Sequence, residues 1–231
     1  MFKFTKFQIL VHVGSLVPLA LLIRDAITDN LTVNPIQDIT FRTGKAALVL
    51  LVLSLACTPL NTLFGFREAL RVRRALGLYA FLYVSLHFLI FIGLDYTFDL
   101  SLIREAIVEK RYALMGFAAF LTLLPLALTS TKGWQKRLGK TWRALHRWVY
   151  LAGILAVIHF VWLVKSDIRE PLAYGTVVIL LLVLRIPVVR RVVNFKRWMS
   201  PFTPGGAPRM GSREQADHSR DLPAPETGVP K

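Results

Sequence analysis

The sequence predicts an all-α fold: a polytopic membrane helix bundle of six transmembrane helices with both termini in the cytoplasm. Three observations predict it. Hydrophobic residues make up 54% of the chain and the mean hydropathy is +0.50, more apolar than a soluble domain of this size. Six apolar stretches stand at or near the roughly 17–25 residues that cross a bilayer. The Lys/Arg excess alternates from one connecting loop to the next, which is how short loops orient a membrane protein.

The first span covers about residues 8–23. It follows a short basic start, MFKFTKFQIL, with no small-residue cleavage site behind it, so an uncleaved span is expected rather than a signal peptide. The second covers about 46–64, the third about 76–94 and the fourth about 113–130. The fifth covers about 145–164. The sixth covers about 174–187, with a start reaching back to Pro171. Pro59 and Pro125 fall inside the second and fourth. Each removes a backbone donor and kinks its helix unless a neighbour satisfies the freed carbonyl. No internal repeat, nucleotide loop or GxGxxG motif is evident.

The loops set the orientation. Between spans two and three lie Arg67, Arg71, Arg73 and Arg74 against one acid, Glu68. Between spans four and five lie Lys132, Lys136, Arg137, Lys140, Arg143 and Arg147 with no acid. After span six come Arg190, Arg191, Lys196 and Arg197. The other three loops are mixed and carry most of the acids, Asp25, Asp29, Asp38, Asp95, Asp99, Glu105, Glu109, Asp167 and Glu170 among them. Residues 1–199 are therefore expected to form one transmembrane domain. From Ser200 onward the chain is rich in Pro, Gly and charge and cannot bury enough apolar surface to fold. Residues 200–231 are expected to be a disordered cytoplasmic tail, and His218 within it a solvated residue.

A formal charge of +15 suggests nucleic acid as a partner. The hydropathy excludes it, because the basic residues lie in short loops between apolar runs; the partner they imply is membrane lipid. Cys57 is the one cysteine, sits in the apolar run LSLACTPL, and reads as a small buried hydrophobe. No CxxCH is present, which excludes covalently attached c-type heme.

Ionisable residues inside a bilayer are expensive and mark functional sites by default. His87 lies in LYVSLHFLIF toward the end of span three, and His159 in LAVIHFVW toward the end of span five. Both spans run outward, so the two histidines share a depth in the outer half of the membrane. One membrane histidine is often only a helix–helix hydrogen-bond donor. Two at one depth on parallel spans can clamp a flat macrocycle, and imidazole on both faces of a heme iron suits electron transfer because no position stays open for oxygen. His146 opens span five, about 20 Å along the axis from His159, a separation that suits a second heme. On a straight helix the two side chains would point roughly 140° apart. Either the helix is irregular near Gly153, or His146 belongs to the turn that opens it. Arg73 lies on nearly the same face of span three as His87, where a fourth ligand would stand. A guanidinium is a poor iron ligand and pairs more naturally with heme propionates. His12 reads as interfacial, with a quinone or flavin contact as the alternative. Trp134, Trp142, Trp148 and Trp162 read as an interfacial belt.

Three runs carry a family resemblance: TSTKGWQKRLGKTWRALHRWVYLAGILAVIHFVW, RRALGLYAFLYVSLHF and NPIQDITFRTGKAALVLLVLSLACTPL. Together they resemble the MsrQ (YedZ) family, the heme-binding membrane subunit of the bacterial periplasmic methionine sulfoxide reductase system, within the wider ferric-reductase-like transmembrane group. The resemblance covers about residues 7–198 and omits the tail. It implies a six-span b-type cytochrome of the inner membrane. Its electrons would come from the quinone pool or a cytoplasmic flavin reductase and go to a periplasmic molybdopterin subunit, MsrP, that reduces oxidised methionine. It also implies that His87, His146 and His159 are heme-associated. Arg73 stands where two-heme relatives carry histidine, so one or two hemes b remain open. FMN is associated with the family, but no flavin motif places it here. No flavin and nicotinamide domain follows span six, so electrons are expected from another molecule. The chain thus reads as an electron-transfer subunit whose partner performs the catalysis. The alternatives are a membrane ferric or cupric metalloreductase and a heme-free membrane scaffold.

Overall fold

The computed structural model describes residues 5–164 and 167–186, and within them every regular element is helical. The order is α1 (Lys6–Ile27), α2 (Pro35–Phe64), α3 (Arg67–Ile90), α4 (Leu100–Glu109), α5 (Arg111–Leu128), α6 (Lys132–Leu138), α7 (Lys140–Leu145), α8 (Val149–Leu163) and α9 (Arg169–Val183). A π-helical turn, Phe91–Asp95, extends α3, and a 3₁₀ turn, His146–Trp148, joins α7 to α8. Five stretches are long and apolar enough to cross a membrane: Lys6–Ile27, Pro35–Phe64, Arg67–Asp95, Arg111–Leu128 and Lys140–Leu163. The sixth expected span corresponds to α9, which has 15 residues. The sequence after Ile186, with the expected tail from Ser200, lies outside the described residues.

Two helix hairpins form the body. α2 packs along α3, and α5 packs along α8. The first hairpin closes on small residues, with Ala46, Ala47, Ala69 and Ala80 buried at its seam beside Leu50, Leu51, Val72 and Leu76. Without a hydrophobic driving force inside lipid, such residues let helices approach until dispersion holds them. α1 rests on α2 and α3, and α9 on α8 and α2.

Three boundaries differ from those expected. α2 begins eleven residues earlier, at Pro35, because Asn34 caps it by accepting from the Gln37 amide and Pro35 is pre-set for a first turn. The charges in its early turns are neutralised in pairs: Arg42 with Asp38 at 2.9 Å and with Asp25 of α1 at 2.6 Å, and Lys45 with Glu170 of α9 at 2.5 Å. The arginines Arg67, Arg71, Arg73 and Arg74, expected in a loop, lie in the opening turns of α3. The segment 100–109, also expected as loop, is α4; Asp99 caps it by accepting from the Ser101 and Leu102 amides.

Two openings in the helix ladders, at and beside prolines, are bridged by side chains from elsewhere in the chain. Pro59 leaves the Leu55 carbonyl of α2 without its usual amide. Arg185, just beyond α9, donates one guanidinium nitrogen to that carbonyl and another to the Tyr150 hydroxyl of α8. Beside Pro18 in α1, the Tyr83 hydroxyl inserts into the opened rung. It accepts from the Leu19 amide at 3.0 Å and donates to the Ser15 carbonyl at 2.8 Å.

Replacing Pro59 by Ala gives Leu55 an amide partner again. Arg185→Met is therefore expected to cost about 1 kcal/mol more in the wild-type background than in Pro59→Ala. A double-mutant cycle of unfolding free energies in detergent measures the difference; strict additivity would contradict the repair.

Candidate cofactor site

The two matched histidines meet. The His87 and His159 rings stand 6.1 Å apart between centroids and nearly perpendicular, at 85°. Each ring is fixed in the same way. His87 Nδ1 donates to the Thr40 carbonyl of α2 at 2.9 Å, and His159 Nδ1 donates to the Tyr112 carbonyl of α5 at 2.6 Å. A carbonyl can only accept, so both Nδ1 atoms carry the proton and both Nε2 atoms keep a free lone pair.

One helical turn past each carbonyl is a glycine. A Cβ built on Gly44 would stand 3.1 Å from His87 Nδ1, and one on Gly116 would stand 2.7 Å from His159 Nδ1. A helical carbonyl already accepts from the amide one turn on. A side chain on that residue would cover its second lone pair, so the imidazole reaches it only over glycine.

The two hairpins therefore carry one device twice. Carbonyl and histidine are 47 residues apart in both. No internal repeat was expected from the sequence, and what recurs is a single contact at the same separation. Thr40, Gly44, Tyr112 and Gly116 went unrecognised in the sequence, although the glycine-to-histidine spacing recurs identically from Gly44 to His87 and from Gly116 to His159.

Both imidazoles line one cavity of about 470 Å³ between the hairpins, within the roughly 300–1,000 Å³ of small-molecule sites. Its wall is largely apolar, aliphatic and aromatic side chains together. Phe88 stacks on Phe120 at 4.6 Å between centroids, and Phe91, Phe117 and Phe160 continue the lining. Among the described residues no group of three or more His, Cys, Asp or Glu side chains is placed to hold a metal ion. The arrangement thus offers two neutral nitrogen donors, from opposite hairpins, to one centre in an apolar slot.

His146 and Arg73 lie apart from this cavity. His146 starts the 3₁₀ turn that opens α8, the second of the two geometries its spacing allowed. Its ring stacks on Trp142 at 3.9 Å, and its Nδ1 donates to the Trp142 carbonyl at 3.1 Å. Its Nε2 faces the Ser130 hydroxyl at 3.5 Å. Trp142 donates its indole N–H to the Thr129 carbonyl, and Thr131 caps α6. The Thr129–Ser130–Thr131 run thus seats both the tryptophan and the histidine. Arg73 donates to the Thr58 hydroxyl at 3.2 Å, and its charge is felt at His146. His12 bonds the Tyr79 hydroxyl at 3.0 Å in the contact of α1 with α3.

The family pattern described as ferric reductase like transmembrane component matches residues 43–157, from Gly44's neighbour to the helix of His159. Two curated relatives bear the name protein-methionine-sulfoxide reductase heme-binding subunit MsrQ. One, from Xanthomonas axonopodis pv. citri (strain 306), is 45% identical over 183 residues, covering 77% of this chain and 84% of its own. Another, from Rhodospirillum rubrum, is 46% identical over 186 residues, covering 80% of this chain and 89% of its own. The chain belongs to the MsrQ family. Its apolar helices and the transmembrane pattern make it a multi-pass membrane protein. No solved structure matches it.

Within this family member, Gly116→Ala is expected to displace His159 and lower the melting temperature in detergent more than Gly44→Ala lowers it. The closer approach at Gly116 leaves its anchored ring no cheap retreat. Equal, negligible shifts would contradict the glycine constraint.

Proposed function

We propose that the chain is the b-type heme membrane subunit of a methionine sulfoxide reductase system. It would carry electrons across the bacterial inner membrane, from quinol or a cytoplasmic flavin reductase, to a periplasmic molybdopterin subunit of the MsrP type. The observation that carries the reading is the His87–His159 pair. Two metal–imidazole bonds of about 2 Å each, end to end, set ring centroids roughly as far apart as these rings stand. Among the described residues two protein ligands are offered, so a metal here needs its remaining positions filled by a macrocycle, and the apolar cavity suits one. The name of the relatives, heme-binding subunit, supports the same group.

Heme iron between two imidazoles has no open coordination position and exchanges one electron between ferric and ferrous states. The chain's residues supply the setting. Nδ1 anchoring keeps both imidazoles neutral at Nε2 and stops the rings turning. The phenylalanine wall excludes water. The polytopic frame proposed is six spans, residues 1–199, with α9 as the start of the sixth. The basic residues opening α3 and filling α6 and α7 support a cytoplasmic position for that end and, with six spans, for both termini. Residues 200–231 form the cytoplasmic tail.

A second site is favoured by one observation: His146 is anchored through Nδ1 to a carbonyl, as His87 and His159 are. Its Nε2 would serve a second heme at the basic end, with Arg73 pairing a propionate. A flavin reductase donor would dock at that same basic end.

A reduced-minus-oxidised spectrum of the purified protein tests the reading. Wild type is expected to show a b-type band, and His87→Ala and His159→Ala are each expected to abolish the outer signal. No band in wild type, or an unchanged band in both variants, would overturn it. Heme quantification per polypeptide, with His146→Ala, separates one heme from two. Methionine sulfoxide repair lost on deletion, with external metal reduction intact, excludes the metalloreductase alternative.

A further inference from the structure

Heme b brings two carboxylates into a slot walled mainly by apolar side chains, six phenylalanines among them. A carboxylate taken from water without a partner is costly, so such a slot must present cations where the propionates come to rest. The residues lining this cavity include two cations, Lys45 and Lys110, and one acid, Asp95. Each hairpin side supplies one lysine. Lys45 follows Gly44 in α2, and Lys110 precedes the α5 turn that holds Tyr112.

The two lysines are not equivalent. The Lys45 ammonium is already matched by Glu170. Lys110 is the extended residue between α4 and α5, with φ −90° and ψ 102°. Its Nζ donates to the Tyr96 hydroxyl at 2.8 Å and lies beyond the hydroxyl edge, 5.4 Å from the ring centroid. That bond to the Tyr96 hydroxyl holds the ammonium above the ordinary lysine value. The other titratable groups it feels are Tyr112 and Asp95, and neither is within ion-pairing distance of it. A charged donor held on a neutral phenol at the rim of an apolar slot can exchange that partner for a carboxylate at little cost.

We propose that Lys110 is the principal receptor for a propionate of the cofactor held by His87 and His159, with Lys45 as the shared second receptor. The inference rests on the heme reading above and adds how the macrocycle is oriented: carboxylates toward the α4–α5 junction and Lys45, hydrocarbon edge toward the phenylalanines. Lys110 also tunes the site, because a cation beside the macrocycle favours the form carrying the extra electron.

The test uses the full-length, heme-loaded protein with two readouts: the propionate bending band in resonance Raman and the midpoint potential. Lys110→Gln is expected to move the band and shift the potential downward, and Lys110→Arg to restore both. Glu170→Gln frees the Lys45 charge and is expected to shift the potential upward. Lys110→Gln with heme retained and both readouts unchanged overturns the proposal. If Lys110→Gln releases the cofactor, retention by Lys110→Arg supports it and release by both overturns it. A wild-type protein without heme would sink the cofactor reading itself; bound heme indifferent to Lys110 sinks this inference alone.

Discussion

The fold turns on one interaction made twice: an imidazole N–H donated across a helix pair to a main-chain carbonyl. Inside lipid no water competes for that donor, so the bond fixes ring, tautomer and depth together. It requires a carbonyl with a lone pair to spare, and a helix exposes one only where the residue a turn later has no side chain. Gly44 and Gly116 meet that need. The close packing of α2 on α3 and of α5 on α8 follows, since neither histidine could reach its carbonyl across a wider gap.

The rest of the bundle keeps that geometry, and two backbone openings find partners from elsewhere in the chain. Arg185 supplies the donor that Pro59 removes, and in doing so ties α2, α8 and the end of α9. Tyr83 fills the opened rung of α1 and holds that otherwise lightly packed helix to α3. At the opposite end from Thr40, the Trp142 indole and the His146 ring are stacked and seated on the 129–131 turn. These long-range bonds join helices through specific polar pairs inside a low-dielectric interior.

Much of this was legible in the sequence, and the failures have physical causes. The all-helical, membrane-crossing character follows from hydropathy; six spans were expected, and among the described residues five helices are long and apolar enough, the sixth stretch being the 15-residue α9. The pairing of His87 with His159 follows from depth alone. The start of α2 was missed because Asp38, Arg42 and Lys45 read as loop charges. They are helical because each has an opposite charge waiting on α1, α2 or α9, which no local pattern reveals. α4 was missed because ten residues with mixed charge carry no span signal, although Asp99 announced its cap. The duplicated device was hidden for a different reason. What the two hairpins share is a glycine, a histidine and a main-chain carbonyl, and a carbonyl leaves no trace in residue identity.

The perpendicular crossing of the two rings, 85° between planes, is the most exposed part of the account. Perpendicular axial imidazoles give ferric heme a low-spin signal with a large maximum g value, whereas parallel ones give a rhombic low-spin signal. Electron paramagnetic resonance of the oxidised wild-type protein therefore tests it directly. The account predicts the large-gmax low-spin signal, lost in His87→Ala and in His159→Ala. A high-spin spectrum, or a purely rhombic low-spin one, would contradict it.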